Sequence, residues 1–117
     1  MMRPFGYAFA GIAYLVRTQR NFRLHLLAAA AVIAVGAALG VGPTEWAILA
    51  ATIGLVIVAE ALNTGIELAV TLASPERRPE AKAAKDIAAG AVLISAITAL
   101  AVGVAVFGPR LLVIIRP

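Results

Sequence analysis

Two carboxylates and an amide punctuate one otherwise apolar stretch, Glu60-Ala61-Leu62-Asn63-Thr64-Gly65-Ile66-Glu67. On a helix turning about 100° per residue, Glu60, Asn63, Thr64, Glu67 and Thr71 share one sector roughly 100° wide. An acidic residue inside a bilayer costs roughly 2.5 kcal/mol or more, so two on one face call for a partner: a cation, a metal ion or a proton. The competing reading is a polar seam that glues subunits together through protonated glutamates. A second group, Ala84-Lys85-Asp86, stands just before the apolar run that starts at Ile87. Alone, Asp86 would cap that helix and Lys85 would snorkel to the interface. Yet Glu67 and Thr71 approach the same membrane face from the preceding helix, and a lysine beside carboxylates suits a metal-bound polyphosphate: the cation neutralises phosphate oxygens while the acids hold magnesium. Arg20-Asn21-Phe22-Arg23 adds positive charge nearby. The lone histidine, His25, reads as a hydrogen-bonded anchor near the interface rather than a ligand. Neither a glycine-rich phosphate loop nor a kinase catalytic-loop signature is present, so neither familiar soluble ATP-binding scheme applies.

The elements that must position these groups are apolar helices. Of the 117 residues, 62% are apolar and only 14% charged, and the mean hydropathy is +0.99. A soluble domain is about half apolar and a quarter charged, and so short a chain cannot hide the excess in one core. This is the composition of a membrane protein. The absence of cysteine excludes a disulfide scaffold, a thiolate metal site and a cysteine nucleophile. Three segments reach the roughly 20 apolar residues a span requires: 24–41, 46–73 and 87–107. Pro43 or Thr44 opens the second span, and 74–80, with two prolines, reads as a polar loop. Ahead of them Phe5, Ala8, Phe9, Ile12 and Val16 recur at helical spacing between arginines, which predicts an amphipathic helix over about 4–20 lying in the interface. A secretory signal peptide is the weaker alternative, because no convincing cleavage site follows. Trp46 and Tyr7 fall where aromatic belts are expected.

Arg3, Arg17, Arg20 and Arg23 precede the first span and Arg77, Arg78, Lys82 and Lys85 follow the second, whereas only Arg110 and Arg116 fall on the other side. The positive-inside rule therefore puts the N-terminus and the 74–86 region in the cytoplasm, with access to cytosolic nucleotides. The net charge of +4 accompanies apolar runs and few aromatics, so its partners are anionic lipid or phosphate rather than nucleic acid. Small residues such as Ala28–Ala31, Ala88–Ala91, Gly90 and Gly103 allow close helix approach. Three spans cannot enclose an interior of their own, so a homo-oligomer is expected.

In order and spacing, Arg20-Asn21-Phe22-Arg23, then Ala59-Glu60-Ala61-Leu62-Asn63-Thr64-Gly65-Ile66-Glu67, then residues 81–92 (AKAAKDIAAGAV) resemble the small bacterial integral-membrane diacylglycerol kinase and undecaprenol kinase family, over nearly the whole chain. The resemblance implies an all-α membrane protein: a single domain over 1–117, a homotrimer of three-span protomers, each with an N-terminal surface helix, and active sites shared between neighbours near the cytoplasmic face of the inner membrane. It implies ATP as phosphoryl donor, magnesium as cofactor and a lipid alcohol as substrate, with undecaprenol preferred and diacylglycerol second. By position, Glu60 would be the catalytic base, Asn63 a site-orienting residue and Glu67 a magnesium ligand. Lys85 and Asp86 would contact ATP, and Tyr7 and the Glu76-Arg77-Arg78 loop would lie near the nucleotide. Two positions depart from the family pattern. Gln19 stands where a second metal-binding glutamate is usual, beside metal and ATP, and Thr71 where an aspartate is usual. Each removes a negative charge, although an amide oxygen and a hydroxyl can still contact a metal or a water, so magnesium affinity should fall. The rival from another class is a non-enzymatic membrane oligomer, either an ion or proton path lined by Glu60 and Glu67 or a family member that has lost catalysis.

Overall fold

The computed structural model describes residues 3–116, which form four helices in the order α1 (Arg3–Thr18), α2 (Arg20–Leu39), α3 (Pro43–Ala73) and α4 (Pro79–Ile115). The last three are long and apolar enough to cross a membrane, as the apolar runs require. At about 1.5 Å per residue, α3 and α4 are roughly 46 and 55 Å long, well beyond the roughly 30 Å of a bilayer's hydrocarbon core. Their ends therefore project into the polar zones.

α1 carries no buried residue, and the five apolar residues that define its stripe, Phe5 through Val16, have only solvent or lipid to face, as an interfacial helix demands. It stops at Thr18, two residues short of the expected boundary, because Gln19 takes an extended backbone that separates it from α2. The turn is held by Arg23, whose Nη1 donates to the carbonyls of Val16 at 2.8 Å and Arg17 at 3.3 Å. Those carbonyls lack intrahelical partners at the end of a helix, and a cation there also meets the negative end of its dipole.

α2 ends in Gly40 at φ 67°, the one left-handed residue described, whose N–H and that of Val41 close onto Ala37 and Gly36. Glycine adopts this conformation without Cβ crowding. Pro43 then opens α3 as its first residue, and Glu45 Oε1 accepts the Gly42 N–H at 3.3 Å. Of the two residues expected to begin this helix, Pro43 does so.

α3 packs along α4 and more lightly on α2. The core sits toward the end of the bundle away from the polar cluster, with Val41, Leu49 and Val106 buried and Val32, Trp46, Val102 and Phe107 packed around them. Trp46 is thus a packing residue rather than a free belt aromatic. Beside the core, Arg110 pairs with Glu45 through two nitrogens and donates from Nη1 to the Leu39 carbonyl at 3.3 Å. One side chain of α4 joins the end of α2 to the start of α3.

α4 requires a correction. The loop is only 74–78, and the helix starts at Pro79, eight residues before the expected span. Proline is accepted at a first helical position because its missing N–H has no partner there anyway. Asp86 therefore caps nothing: it lies inside α4, exposed, and accepts from Lys82 Nζ at 2.6 Å across one turn.

Candidate active site

The polar face of α3 grades from buried to open. Glu60 and Thr64 are 3% and 4% exposed, Asn63 is half-buried, and Glu67 and Thr71 are exposed. The expected single helical face exists, and it runs from the bundle interior toward the end where α3 leaves the apolar zone. Thr64 Oγ1 donates back to the Glu60 carbonyl at 3.2 Å, the usual way a hydroxyl is satisfied within a helix. Asn63 Oδ1 is buried and has no hydrogen-bond partner among the described residues. A buried acceptor left open costs about 1–3 kcal/mol, so a donor reaching this oxygen would be stabilising.

Two features from distant parts of the chain complete this face. At the open end, a cleft of about 310 Å³ is lined by Gln19, Thr64, Glu67, Leu68, Thr71 and Leu72. The α1–α2 junction thus carries Gln19 to the residues with which it was grouped from sequence, and Thr71 lies in the same cleft. At the buried end, His25 Nε2 of α2 stands 3.5 Å from Glu60 Oε2, with the histidine side chain 26% exposed and the glutamate 4%. This pairing was not foreseen; the only signal for it was a titratable residue interrupting the apolar run of the first span.

The Glu45–Arg110 pair and the shared cluster of Leu49 and Val106 set an antiparallel register between α3 and α4. Ser95 and Ala88 are the buried residues of the part of α4 nearer the 74–78 loop; Lys85 is half-buried there and is not among the residues lining the cleft. The other residues grouped with the site lie apart from the cleft in one protomer. Tyr7 is 73% exposed on α1, Glu76 pairs with Arg78 at 3.5 Å in the exposed loop beside Arg77, and Asp86 is paired with Lys82.

The cleft offers magnesium a carboxylate at Glu67, an amide at Gln19 and hydroxyls at Thr64 and Thr71. The Gln19 nitrogen is engaged with Thr18 Oγ1 at 3.2 Å, leaving its carbonyl oxygen as the free donor. Among the described residues no three His, Asp or Glu side chains gather as a self-sufficient metal cage. Magnesium rarely uses such cages; it takes one or two carboxylates and completes its shell with water and substrate phosphates, and this donor set fits that habit.

A family model for prokaryotic diacylglycerol kinase matches residues 6–107. The chain belongs to that family. This member of the prokaryotic diacylglycerol kinase family is 45% identical over 113 residues to a diacylglycerol kinase of Synechocystis, a match covering 96% of this chain and 65% of that protein. It is 41% identical over 109 residues to an undecaprenol kinase of Bacillus subtilis, covering 93% of this chain and 89% of the other. A diacylglycerol kinase of Pseudomonas aeruginosa is 35% identical over 90 residues, or 77% of this chain and 73% of that one. The chain therefore spans about two thirds of the Synechocystis protein and most of the Bacillus one.

Proposed function

We propose that this protein is an ATP- and magnesium-dependent kinase that phosphorylates the hydroxyl of a membrane lipid at the cytoplasmic face, with undecaprenol preferred over diacylglycerol. The observation that carries the reading is the convergence of Gln19, Thr64, Glu67 and Thr71 in one cleft beneath the buried Glu60. Glu60 takes the proton of the lipid hydroxyl as its oxygen attacks the γ-phosphorus in line; the bond to the bridging oxygen breaks and ADP leaves. A base buried next to apolar walls suits a substrate whose hydroxyl arrives from lipid, and the exposed end of the same face suits a nucleotide arriving from water. Glu67 and Gln19 would hold magnesium, which when bound offsets charge on the phosphate oxygens. Lys85 of α4 would supply a further cation to the phosphates.

The active unit is a homotrimer with its N-terminus in the cytoplasm. Asn63 carries an open buried acceptor, and Tyr7, Glu76, Arg77, Arg78 and Asp86 lie outside the cleft of a single protomer. Both facts support a site completed by a neighbouring copy. The preference for the polyprenol rests on the likeness of Arg20-Asn21-Phe22-Arg23 and of residues 76–92 to the undecaprenol kinases, of which the Bacillus subtilis protein is matched over 89% of its length.

The test is direct transfer: purified protein, labelled ATP and magnesium, with undecaprenol or diacylglycerol in mixed micelles. Label should enter undecaprenol faster than diacylglycerol. Transfer to diacylglycerol alone would reverse the substrate order, and transfer to neither would leave the non-enzymatic oligomer as the reading.

A further inference from the structure

Glu60 is nearly sealed from solvent, yet the only group among the described residues that approaches its carboxylate is His25, with Nε2 at 3.5 Å from Oε2. A buried carboxylate without a hydrogen-bonding or charged partner is strongly disfavoured. On α4, the buried Ser95 donates its hydroxyl to the Val92 carbonyl at 2.7 Å. From α3 itself, the next acid is Glu67, exposed two turns away. Among the described residues neither His25 nor Glu60 forms another ion pair. His25 also lines an apolar groove between α2, α3 and α4 that holds about 630 Å³ and is walled by alanines, valines and Phe107. His25 is the one ionisable residue of that lining; the other polar residue, Thr52, donates its hydroxyl to the Ile48 carbonyl.

From this geometry we infer that His25 is the positioning residue for Glu60, its imidazole fixing the orientation of the carboxylate that receives the substrate's proton. The inference rests on Glu60 acting as the base. The observed separation is slightly beyond a short hydrogen bond, and catalytic contacts of this kind commonly tighten when substrate binds. A base displaced by an ångström can lose roughly a hundredfold in rate.

The lipid-transfer assay on His25→Ala, His25→Phe and His25→Gln tests this. His25→Ala and His25→Phe should lose about 10- to 100-fold in kcat with the KM for ATP within about twofold. His25→Gln, which keeps an N–H donor, should recover most of the loss. Equal loss in all three variants would reduce His25 to packing, and a kcat for His25→Ala within twofold of wild type would overturn the inference. If Glu60→Gln is inactive while His25→Ala is normal, only this inference fails; if Glu60→Gln is active, the reading of Glu60 as base fails first. A second measurement needs no activity. The chain has one histidine, so in tag-free protein labelled with nitrogen-15 the imidazole signals are unambiguous. Glu60→Gln should shift the His25 ring nitrogen signals, and unchanged signals would show that the two side chains do not interact.

Discussion

Gln19 and Glu67, 48 positions apart in the chain, line the same cleft, one at the break between α1 and α2 and the other on the open end of the α3 polar face. The amide at position 19 thus stands in the same cleft as the Glu67 carboxylate proposed to hold magnesium. Gln19→Glu should therefore lower the magnesium concentration needed for half-maximal lipid phosphorylation, severalfold, and adding Thr71→Asp should lower it further by a smaller step. Titration of initial rate against magnesium checks both. An unchanged magnesium dependence would place position 19 beyond the metal's reach.

Glu60→Gln should abolish transfer, with a loss of roughly a hundredfold or more, while the purified variant keeps the wild-type elution volume and helical signal. The amide preserves shape and cannot accept the hydroxyl proton. Retention of most of the turnover would remove Glu60 from the role of base.

Gly36 lies against the Trp46 indole so closely that an added Cβ would come within 2.7 Å of Cη2. The indole is held in the core cluster with Val41, Leu49 and Val106, so it cannot swing away freely. Gly36→Ala should cost about 1–3 kcal/mol, seen as a lower midpoint of thermal unfolding in detergent. The sole tryptophan of the chain should report the displacement as a shifted emission maximum. Combining Gly36→Ala with Trp46→Leu should cost less than the sum of the single changes, because the second substitution removes the obstacle.

Orientation can be read without an assay. Ser74, at the end of α3, and Gly42, before its start, sit at opposite ends of a helix of 31 residues. In this cysteine-free chain, Ser74→Cys should react with an impermeant thiol reagent from the cytoplasmic side and Gly42→Cys from the other, as the basic residues flanking the spans require. Labelling of Gly42→Cys from the cytoplasm would invert the topology and remove the proposed nucleotide site with it.

The three spans, the surface helix and the shared face of Glu60, Asn63, Thr64, Glu67 and Thr71 were legible in the sequence because each depends on local quantities. These are the length of an apolar run, the 3.6-residue period, and the cost of putting a carboxylate into lipid, which no neighbour is needed to evaluate. The start of α4 was misjudged on a local ambiguity, since Pro79 breaks a helix from within but opens one at its first position, and Asp86 consequently moved from cap to helix surface. What only the tertiary structure decided are the relationships between residues far apart in the chain: Gln19 in the cleft with Glu67 and Thr71, His25 against Glu60, Trp46 over Gly36, and Arg110 joining the ends of α2 and α3. Periodicity specifies which face of a helix is polar or small, but not the helix that covers it or the register at which it does so. That register follows from side-chain packing along α3 and α4 and from the one ion pair at their end, and it decides which titratable groups meet.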